Sequence, residues 1–255
     1  MNILIIEGVG LIGPHLAELL GNRGHSVEAA SPASIGGTAK SGIGSRFACK
    51  DVVVDISDTP PIVPPAFADE ATLAFFAPLG ANLLAAERNA GVGHHLSLSV
   101  VGVDRFPDSP NLAARSRQEN LLRASGLPHT ILRATPLFEC VASFVEAGNR
   151  GATVHVSPAL IQPVASADVA AVLATLVTEP PLYGTREIAG PERQPLDVFA
   201  QLYLEARGDD RRVIADVRAR YYGTVLDDRS LLPGADPIIG SIRFQDWLGG
   251  DASSA

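Results

Sequence analysis

The stretch "MNILIIEGVGLIGPHLAELL", residues 1–20, decides the fold of this chain. It begins with a short apolar run of strand length, Asn2 to Ile6, and passes into helical spacing of apolar residues over Pro14 to Arg23. Between them, Gly8, Gly10 and Gly13 satisfy the spacing G-x-G-x-x-G. Because glycines have no side chain, such a loop lets backbone amides and a helix N-terminus approach a pyrophosphate. We therefore predict a βα unit with a dinucleotide-binding loop.

Strand-like and helix-like segments continue to alternate after this unit. The further predicted strands are Ser26 to Ala30, Val52 to Ile56, Leu96 to Val101 and Thr130 to Arg133. The further predicted helices are Phe67 to Ala90, Leu112 to Ser125 and a helix from Ser166 with Asp168 in its first turn. Such a repeat builds a parallel sheet with helices on both faces. The sequence therefore predicts an α/β fold, a Rossmann-like doubly wound parallel sheet. We expect residues 1–150 mainly in this domain, and residues 151–255 to complete it and form a small, loop-rich C-terminal substrate-binding subdomain.

The composition narrows the class of partner. With 255 residues and 46% hydrophobic residues, the chain can bury a substantial core. A formal net charge of −8 argues against nucleic acid as a partner. No apolar run is long enough to span a bilayer, so we expect a cytoplasmic monomer or homodimer that acts on a small molecule, without a membrane partner. Cys49 and Cys140 are not spaced as metal ligands, and we expect buried free thiols and no metal site.

The end of the second predicted strand indicates which dinucleotide is preferred. An acidic residue there would hold a ribose 2′-hydroxyl. This chain has Ser31 instead, followed by Lys40 and Arg46 in a loop rich in glycine and serine. We therefore expect NADP(H) in preference to NAD(H), although the two cations also fit a solvated loop face. The predicted cofactor-binding residues of the glycine loop are Gly8, Gly10, Leu11, Ile12 and Gly13.

Several linked motifs resemble one family. They are "GVGLIG" (8–13), "ANLLAAERNAGVGHHLSLSVVGVDR" (81–105), "RASGLPHTILRATPLFE" (123–139), "QPVASADVAAVL" (162–173), "IAGPE" (188–192) and "YYGTVLDDRSLLPG" (221–234). Together they resemble the atypical short-chain dehydrogenase/reductases of the NmrA-like, NAD(P)H-binding type, over nearly the whole chain. The resemblance implies a Rossmann-like domain, a small C-terminal substrate subdomain, and a reductase or a dinucleotide-sensing regulator.

The chain departs from this family at two places. Family members start with G-x-x-G-x-x-G, and Glu7 stands where the first of those glycines belongs. The family's wider class also uses a Tyr-x-x-x-Lys pair, in which the lysine lowers the tyrosine pKa and the tyrosine donates a proton. The equivalent positions here are Asn111 and Arg115, and none of the tyrosines is followed four residues later by a lysine. Arg115 keeps a positive charge, but Asn111 cannot donate an acidic proton.

Other candidate site residues follow from their places on the predicted strands. Ser99, near the end of its strand, matches the hydroxyl that the resemblance places beside a reacting carbonyl. Arg133 ends the next strand, where it can contact an anionic substrate or a phosphate. Tyr222 is a weaker catalytic candidate, as are Asp104 and Glu139. His94 and His95 precede their strand at its amino end, so we expect structural roles for them.

Three functions fit these observations. The first is a reductase whose quinone-like or small carbonyl substrate needs little acid catalysis, because positioning supplies most of the rate. The second is a sensor that binds a dinucleotide without turning it over. The third is a biosynthetic cyclase, dehydratase or isomerase on the same fold that uses no dinucleotide, with acids such as Glu7 or Asp104. The family resemblance favours the first.

Overall fold

A computed structural model of the protein describes residues 1–6, 10–31, 46–57, 70–106, 109–221 and 223–251. The helices described are α1 (Ile12–Asn22), α2 (Glu70–Ala90), α3 (Pro110–Ala124), α4 (Cys140–Ala147), α5 (Ser166–Leu176), α6 (Leu196–Ala206) and α7 (Phe244–Asp251). The strands are β1 (Asn2–Ile6), β2 (Ser26–Ala30), β3 (Val52–Asp55), β4 (His94–Val100), β5 (His129–Ala134), β6 (Thr153–Val156), β7 (Leu160–Ile161), β8 (Gly184–Ala189), β9 (Gln194–Pro195), β10 (Arg212–Ala215), β11 (Arg220–Tyr221), β12 (Thr224–Val225) and β13 (Ile238–Ile239).

Seven strands form the main sheet of the described chain, in the order β13-β8-β5-β4-β3-β1-β2. The pairings of β1 with β2, of β1 with β3, of β3 with β4 and of β8 with β13 are parallel. Together with the flanking helices, this is the Rossmann-like α/β fold that the sequence predicts. Since β2 and β3 lie on opposite sides of β1, the strand order reverses there, which makes the carboxyl ends of β1 and β3 a topological switch point.

Contacts divide the chain into two compact units made of alternating segments. The first unit comprises Met1–Ser99, Pro110–Arg133 and Ala170–Arg186, and the second comprises Val100–Ser109, Ala134–Val169 and Glu187–Ala255. The predicted boundary near residue 150 stays a prediction.

The core of the first unit explains why β1 is an unbroken apolar run. Ile3, Leu4, Ile5 and Ile6 are at most 2% exposed, because helices cover parallel strands on both faces. One buried cluster joins strand and helix side chains, and its members are Leu4, Ile6, Ala30, Phe47, Val53, Leu83 and Val92. This packing joins β1, β2 and β3 to α2.

The second unit is held by an aromatic cluster. The rings of Phe138 and Phe199 each lie 5.1 Å from that of Phe244, edge to face, and Trp247 stacks on Phe244 at 5.6 Å. The unit also contains the parallel pair β6–β10 and the short hairpin β11–β12.

The predicted elements up to residue 134 occur within one to three residues of their expected bounds. The expected helix start at Phe67 lies outside the described residues. Asp168 lies in the first turn of α5, as predicted, where its carboxylate accepts hydrogen bonds from Ser241 Oγ and Ile242 N. The expectation of buried thiols was wrong, since Cys49 is exposed and Cys140 is partly exposed. None of the helices in the described ranges has the length and apolar character that crossing a bilayer requires.

Candidate functional site

The carboxyl ends of β1 and β3 form one edge of the first unit. Ile56 N donates to Ile6 O at 3.0 Å, which joins the two strand ends. Just beyond, Asp55 Oδ1 accepts hydrogen bonds from the Ser57 backbone N (3.0 Å) and from Ser57 Oγ. Ligands of open α/β sheets bind at such a switch point. The predicted cofactor site therefore falls at this edge.

The start of α1 fits an anion such as a pyrophosphate. Gly10 and Leu11 are exposed, and Ile12 and Gly13 are buried in the first turn of α1. Leu11 occupies the N-cap position, and its apolar side chain cannot accept a hydrogen bond from the first amides of the helix. The first turn contains no acidic residue. The positive end of the helix dipole there favours a phosphate.

Glu7 and Gly8, on which the glycine motif also depends, lie outside the described residues. Whether the Glu7 carboxylate faces the loop stays a prediction.

The predicted preference for NADP(H) depends on residues on and after β2, and it stays a prediction. Ser31 directly follows β2 and is exposed. On β2 itself, the Glu28 carboxylate accepts from Arg46 Nη1 at 2.9 Å and from Lys50 Nζ at 2.5 Å. The hydrogen bond from Lys50 is the main reason that the Glu28 pKa lies below its usual value. Arg46 and Lys50 are thus paired with a carboxylate in the middle of β2, and Lys40 lies outside the described residues.

Arg115 lies at the strand ends next to the switch point. It is on α3, and its Nη1 donates to the carbonyl oxygens of Ser57, after β3, at 3.0 Å and of Leu98, on β4, at 3.3 Å. The guanidinium therefore bridges the carboxyl ends of two neighbouring strands. Asn111 lies one turn earlier on α3, and its side chain is outside the described part of the chain.

Ser99 and Arg133 meet at a buried carboxylate that the sequence did not indicate. Arg133 donates two hydrogen bonds to Glu119 of α3, from Nε to Oε1 at 2.9 Å and from Nη2 to Oε2 at 2.7 Å. Arg123 Nη2 adds a third at 2.8 Å. Ser99, 1% exposed, lies close to the same carboxylate. Burial alone would raise the pKa of Glu119, but hydrogen bonds from Arg133 and Arg123 hold it below its usual value.

This arrangement limits what Arg133 can do. Its guanidinium is 13% exposed and binds a carboxylate that stays ionised at neutral pH. A role in binding a phosphate or an anionic substrate stays a prediction. The helical spacing of Glu119 and Arg123, four residues apart, was a signal for a local ion pair, but nothing in the sequence connects Glu119 to Arg133 across two elements.

A second buried polar group lies at the opposite, amino ends of β4 and β5. His95 Nδ1 and Glu87 Oε2 are 2.7 Å apart, and His94 Nε2 lies 3.0 Å from Thr130 Oγ1. Burial alone would lower the pKa of His95, but Glu87 raises it. The pKa of His94 falls to about 4, first because of burial and then because of the neighbouring histidines. Both side chains connect elements far from the switch point.

In the described part of the chain, the remaining candidate residues do not form a common site. Tyr222 lies outside them. Asp104 is exposed, and Glu139 accepts a hydrogen bond from Ser166 Oγ at 2.6 Å. Within the described ranges there is no group of three or more histidine, cysteine, aspartate or glutamate residues that could hold a metal ion.

Comparisons with known proteins identify the family. A model of the NAD(P)H-binding family matches residues 47–180, which is more than half of the chain. No curated protein matches the chain.

Solved structures share the fold. A dTDP-4-dehydrorhamnose reductase from Clostridium acetobutylicum is 18% identical, with 85% of this chain and 84% of that chain covered and a TM-score of 0.68. A nucleoside-diphosphate-sugar epimerase from Staphylococcus aureus is 16% identical, with 97% and 99% covered and a TM-score of 0.67. The triphenylmethane reductase of Citrobacter sp., complexed with NADP(H), is 16% identical, with 85% and 79% covered and a TM-score of 0.59. Because the family model covers more than half of the chain, the chain belongs to the NAD(P)H-binding family.

Proposed function

We propose that this protein is an NAD(P)H-dependent reductase of small molecules that accept a hydride without needing a proton from a tyrosine. The observation that carries the proposal is the position of Arg115, whose guanidinium bridges the carboxyl ends of β3 and β4 where the family's wider class places a lysine. No tyrosine in the sequence stands four residues before a lysine. The charged half of the usual pair is thus replaced by arginine, and its acidic half is missing.

The chemistry of the acceptor follows from this loss. Bound NAD(P)H supplies a hydride. A simple ketone that receives a hydride becomes an alkoxide, and proton transfer from an acid stabilises the developing negative charge in the transition state. A quinone spreads the arriving charge over its ring, and a cationic triphenylmethane dye is merely neutralised. A structural neighbour named as a triphenylmethane reductase, solved with NADP(H), supports acceptors of this kind on this fold.

The chain's own residues then have binding and positioning roles. The start of α1 would hold the pyrophosphate, and Arg46 with Ser31 would favour the 2′-phosphate of NADP(H) over the free hydroxyl of NAD(H). Arg115 places a fixed positive charge beside the reacting groups and is the first candidate for contact with the ribose. Ser99 is a weaker candidate, because its hydroxyl lies beside the Glu119 carboxylate.

The proposal includes a cytoplasmic monomer or homodimer with a small-molecule substrate. Free thiols at Cys49 and Cys140 agree with a reducing compartment. The net charge of −8 disfavours nucleic acid.

Steady-state oxidation of NADPH with three acceptors tests this function. The acceptors are a cationic triphenylmethane dye, menadione and cyclohexanone. We expect the ketone to be slower than the other two by about 100-fold or more, the range that general acid catalysis supplies. The double substitution Asn111→Tyr with Arg115→Lys should raise ketone reduction more than menadione reduction. Arg117→Lys, on the same helix, is the matched control.

Each outcome selects between the three functions. Efficient ketone reduction by the unchanged protein would mean that another acid serves the site, and the proposed mechanism would be wrong. Binding of NADPH without oxidation by any acceptor would favour the sensor. Failure of both NADPH and NADH to bind at millimolar concentration would favour the enzyme that uses no dinucleotide.

A further inference from the structure

The second unit contains a cavity that the proposed function does not use. Its volume is about 310 Å³, at the lower end of the range for small-molecule sites. It lies between the end of α4, strand β6 and the chain from the end of β10 to β12. The residues that line it all belong to this unit, so its shape depends on contacts within one compact body.

Backbone contacts fix two walls of this cavity. Gly148, which ends α4, accepts a hydrogen bond from His155 N at 2.8 Å. A Cβ at Gly148 would collide with the carbonyl oxygen of His155, so only glycine allows α4 to approach β6 this closely. On the other side, Asp216 N donates to Val156 O at 2.8 Å. Main-chain contacts within this unit therefore fix the shape of the cavity.

The floor of the cavity is apolar and partly aromatic. The rings of Phe144 and Tyr221 lie 5.5 Å apart at an angle of 56°. The buried side chains of Leu196, Leu226 and Val156 complete the lining between them. A flat apolar group can pack against such a surface through ring contacts.

The rim of the cavity is cationic. Arg150, Arg218 and Arg220 line it with one carboxylate, that of Asp216, which lies 3.7 Å from Arg218 Nε and 3.6 Å from His155 Nδ1. Arg150 Nη1 donates to Asn149 O and Arg220 Nη1 to Gly223 O, and a guanidinium has five N–H donors. In a chain of net charge −8, this is a local excess of positive charge that attracts an anion.

We propose that this cavity binds a small planar anion, a flat apolar ring that carries a carboxylate or a phosphate. The ring lies against Phe144 and Tyr221, and the anionic group faces Arg150 and Arg218. Arginine forks match both carboxylate and phosphate oxygens, so the shared chemistry is the anion on a ring. The site requires no dinucleotide and does not depend on the proposed reductase activity.

Calorimetric titration of the full chain, without NADPH, tests the site. The probes are benzoate, phenyl phosphate and the neutral benzyl alcohol. We expect at least one of the anions to bind at millimolar concentration or below, and benzyl alcohol to bind about tenfold more weakly or not at all. Benzoate alone would identify a carboxylate site, and phenyl phosphate alone a phosphate site.

Charge variants show whether the rim is responsible. Arg218 is 91% exposed, so Arg218→Ala should fold normally and weaken binding of the anion about threefold or more, and Arg150→Ala should act likewise. Asp216→Asn removes the opposing charge while keeping an oxygen that can accept from Arg218 N, so binding should tighten. The matched control is Arg117→Ala on α3 in the first unit, which should leave binding unchanged.

Three results would overturn the proposal. One is that neither anion binds at millimolar concentration. Another is that benzyl alcohol binds as tightly as the anions. The third is that both arginine variants bind an anion as the unchanged protein does while the NMR amide signals of Gly148 and His155 do not move during the titration.

Discussion

At the scale of single residues, the buried carboxylate of Glu119 on α3 accepts hydrogen bonds from two arginines, Arg133 and Arg123. In Glu119→Ala, Arg133, which is 13% exposed, would lose its two hydrogen bonds to this carboxylate. We expect the free energy of unfolding to fall by about 3 kcal/mol. Arg123, 38% exposed, contributes a surface pair, so Arg123→Ala should cost less than about 1 kcal/mol. Urea unfolding of the two variants measures both values, and equal losses would contradict this division.

Position 190 requires a glycine because the main chain of another segment lies very close to it. A Cβ at this position would collide with the carbonyl oxygen of Pro163, which is main chain and cannot rotate away. Gln162 Nε2 also donates to Gly190 O at 2.8 Å, which ties the two segments together. We expect Gly190→Ala to destabilise the protein by about 2 kcal/mol or more.

Gly21 is the matched control for this substitution. It lies in α1, and a methyl group added at its Cα would have no neighbouring atom within 4 Å, so alanine meets no steric obstacle there. Gly21→Ala should raise the free energy of unfolding by up to about 1 kcal/mol, because alanine favours the helix and restricts the unfolded chain. Thermal unfolding of both variants compares them, and the same sign of change in both would show that space at Gly190 is not limiting.

At the scale of elements, the junction of β4 and β5 makes stability depend on pH. The pKa of His94 is lowered to about 4 in the folded protein, so this side chain stays neutral there while an unfolded chain binds a proton near pH 6.5. The contribution of His94 is complete above about pH 6.5 and is lost as pH falls towards 4. We expect about 2–3 kcal/mol of stability to depend on this group.

The neighbouring His95 makes the stability depend on pH in the opposite direction. Its pKa is raised by Glu87, so its contribution is complete below the unfolded pKa and is lost as pH rises through the folded value. His94→Gln keeps a polar group near Thr130 but removes the titration. Unfolding free energies between pH 4 and 7 should therefore fall less steeply in His94→Gln than in the unchanged protein. Identical slopes would assign the acid dependence to other groups.

The elements show what the sequence can and cannot predict. β1 and α1 were predictable because a run such as Ile3 to Ile6 and a glycine loop are local signals. Strands β6 and β10 and helix α6 were not predicted. The two strands are short and are paired only through residues far apart in sequence, such as Thr153 with Arg212. Their formation depends on tertiary contacts that no local pattern records.

The candidate site was predictable to the same extent. The start of α1 is a prediction from local spacing and Arg115 one from the family resemblance; the fold puts both in the first unit, and their roles in binding stay predictions. The sequence offered Arg133 for anion binding because it ends a strand, but Glu119, on a different element, binds its guanidinium. The pairing partner of a charged side chain depends on packing, which spacing alone does not give.

At the scale of the whole molecule, an acidic chain concentrates arginines at a few places. Arg46 and Lys50 bind Glu28 of β2 in the first unit, and Arg150, Arg218 and Arg220 line the cavity of the second. Against a net charge of −8, these places attract small anions, while the surface as a whole does not favour nucleic acid. The charge pattern is therefore consistent with ligands that carry phosphate or carboxylate groups.

Binding of a dinucleotide to the folded chain alone should raise its melting temperature. At a concentration about 100 times its Kd, a ligand stabilises the folded state by about 2.7 kcal/mol. We expect NADPH to raise the melting temperature more than NADH does, because Arg46 and Ser31 lie at the end of β2 without an acidic residue at position 31. Arg46→Ala should reduce the effect of NADPH and leave that of NADH unchanged, whereas Gly10→Asp should reduce both by placing a carboxylate beside the exposed start of α1. Arg212→Ala, an exposed arginine of the second unit, is the control for loss of charge. Equal shifts with the two dinucleotides in the unchanged protein would contradict the preference for NADP(H), and no shift with either would contradict dinucleotide binding at α1.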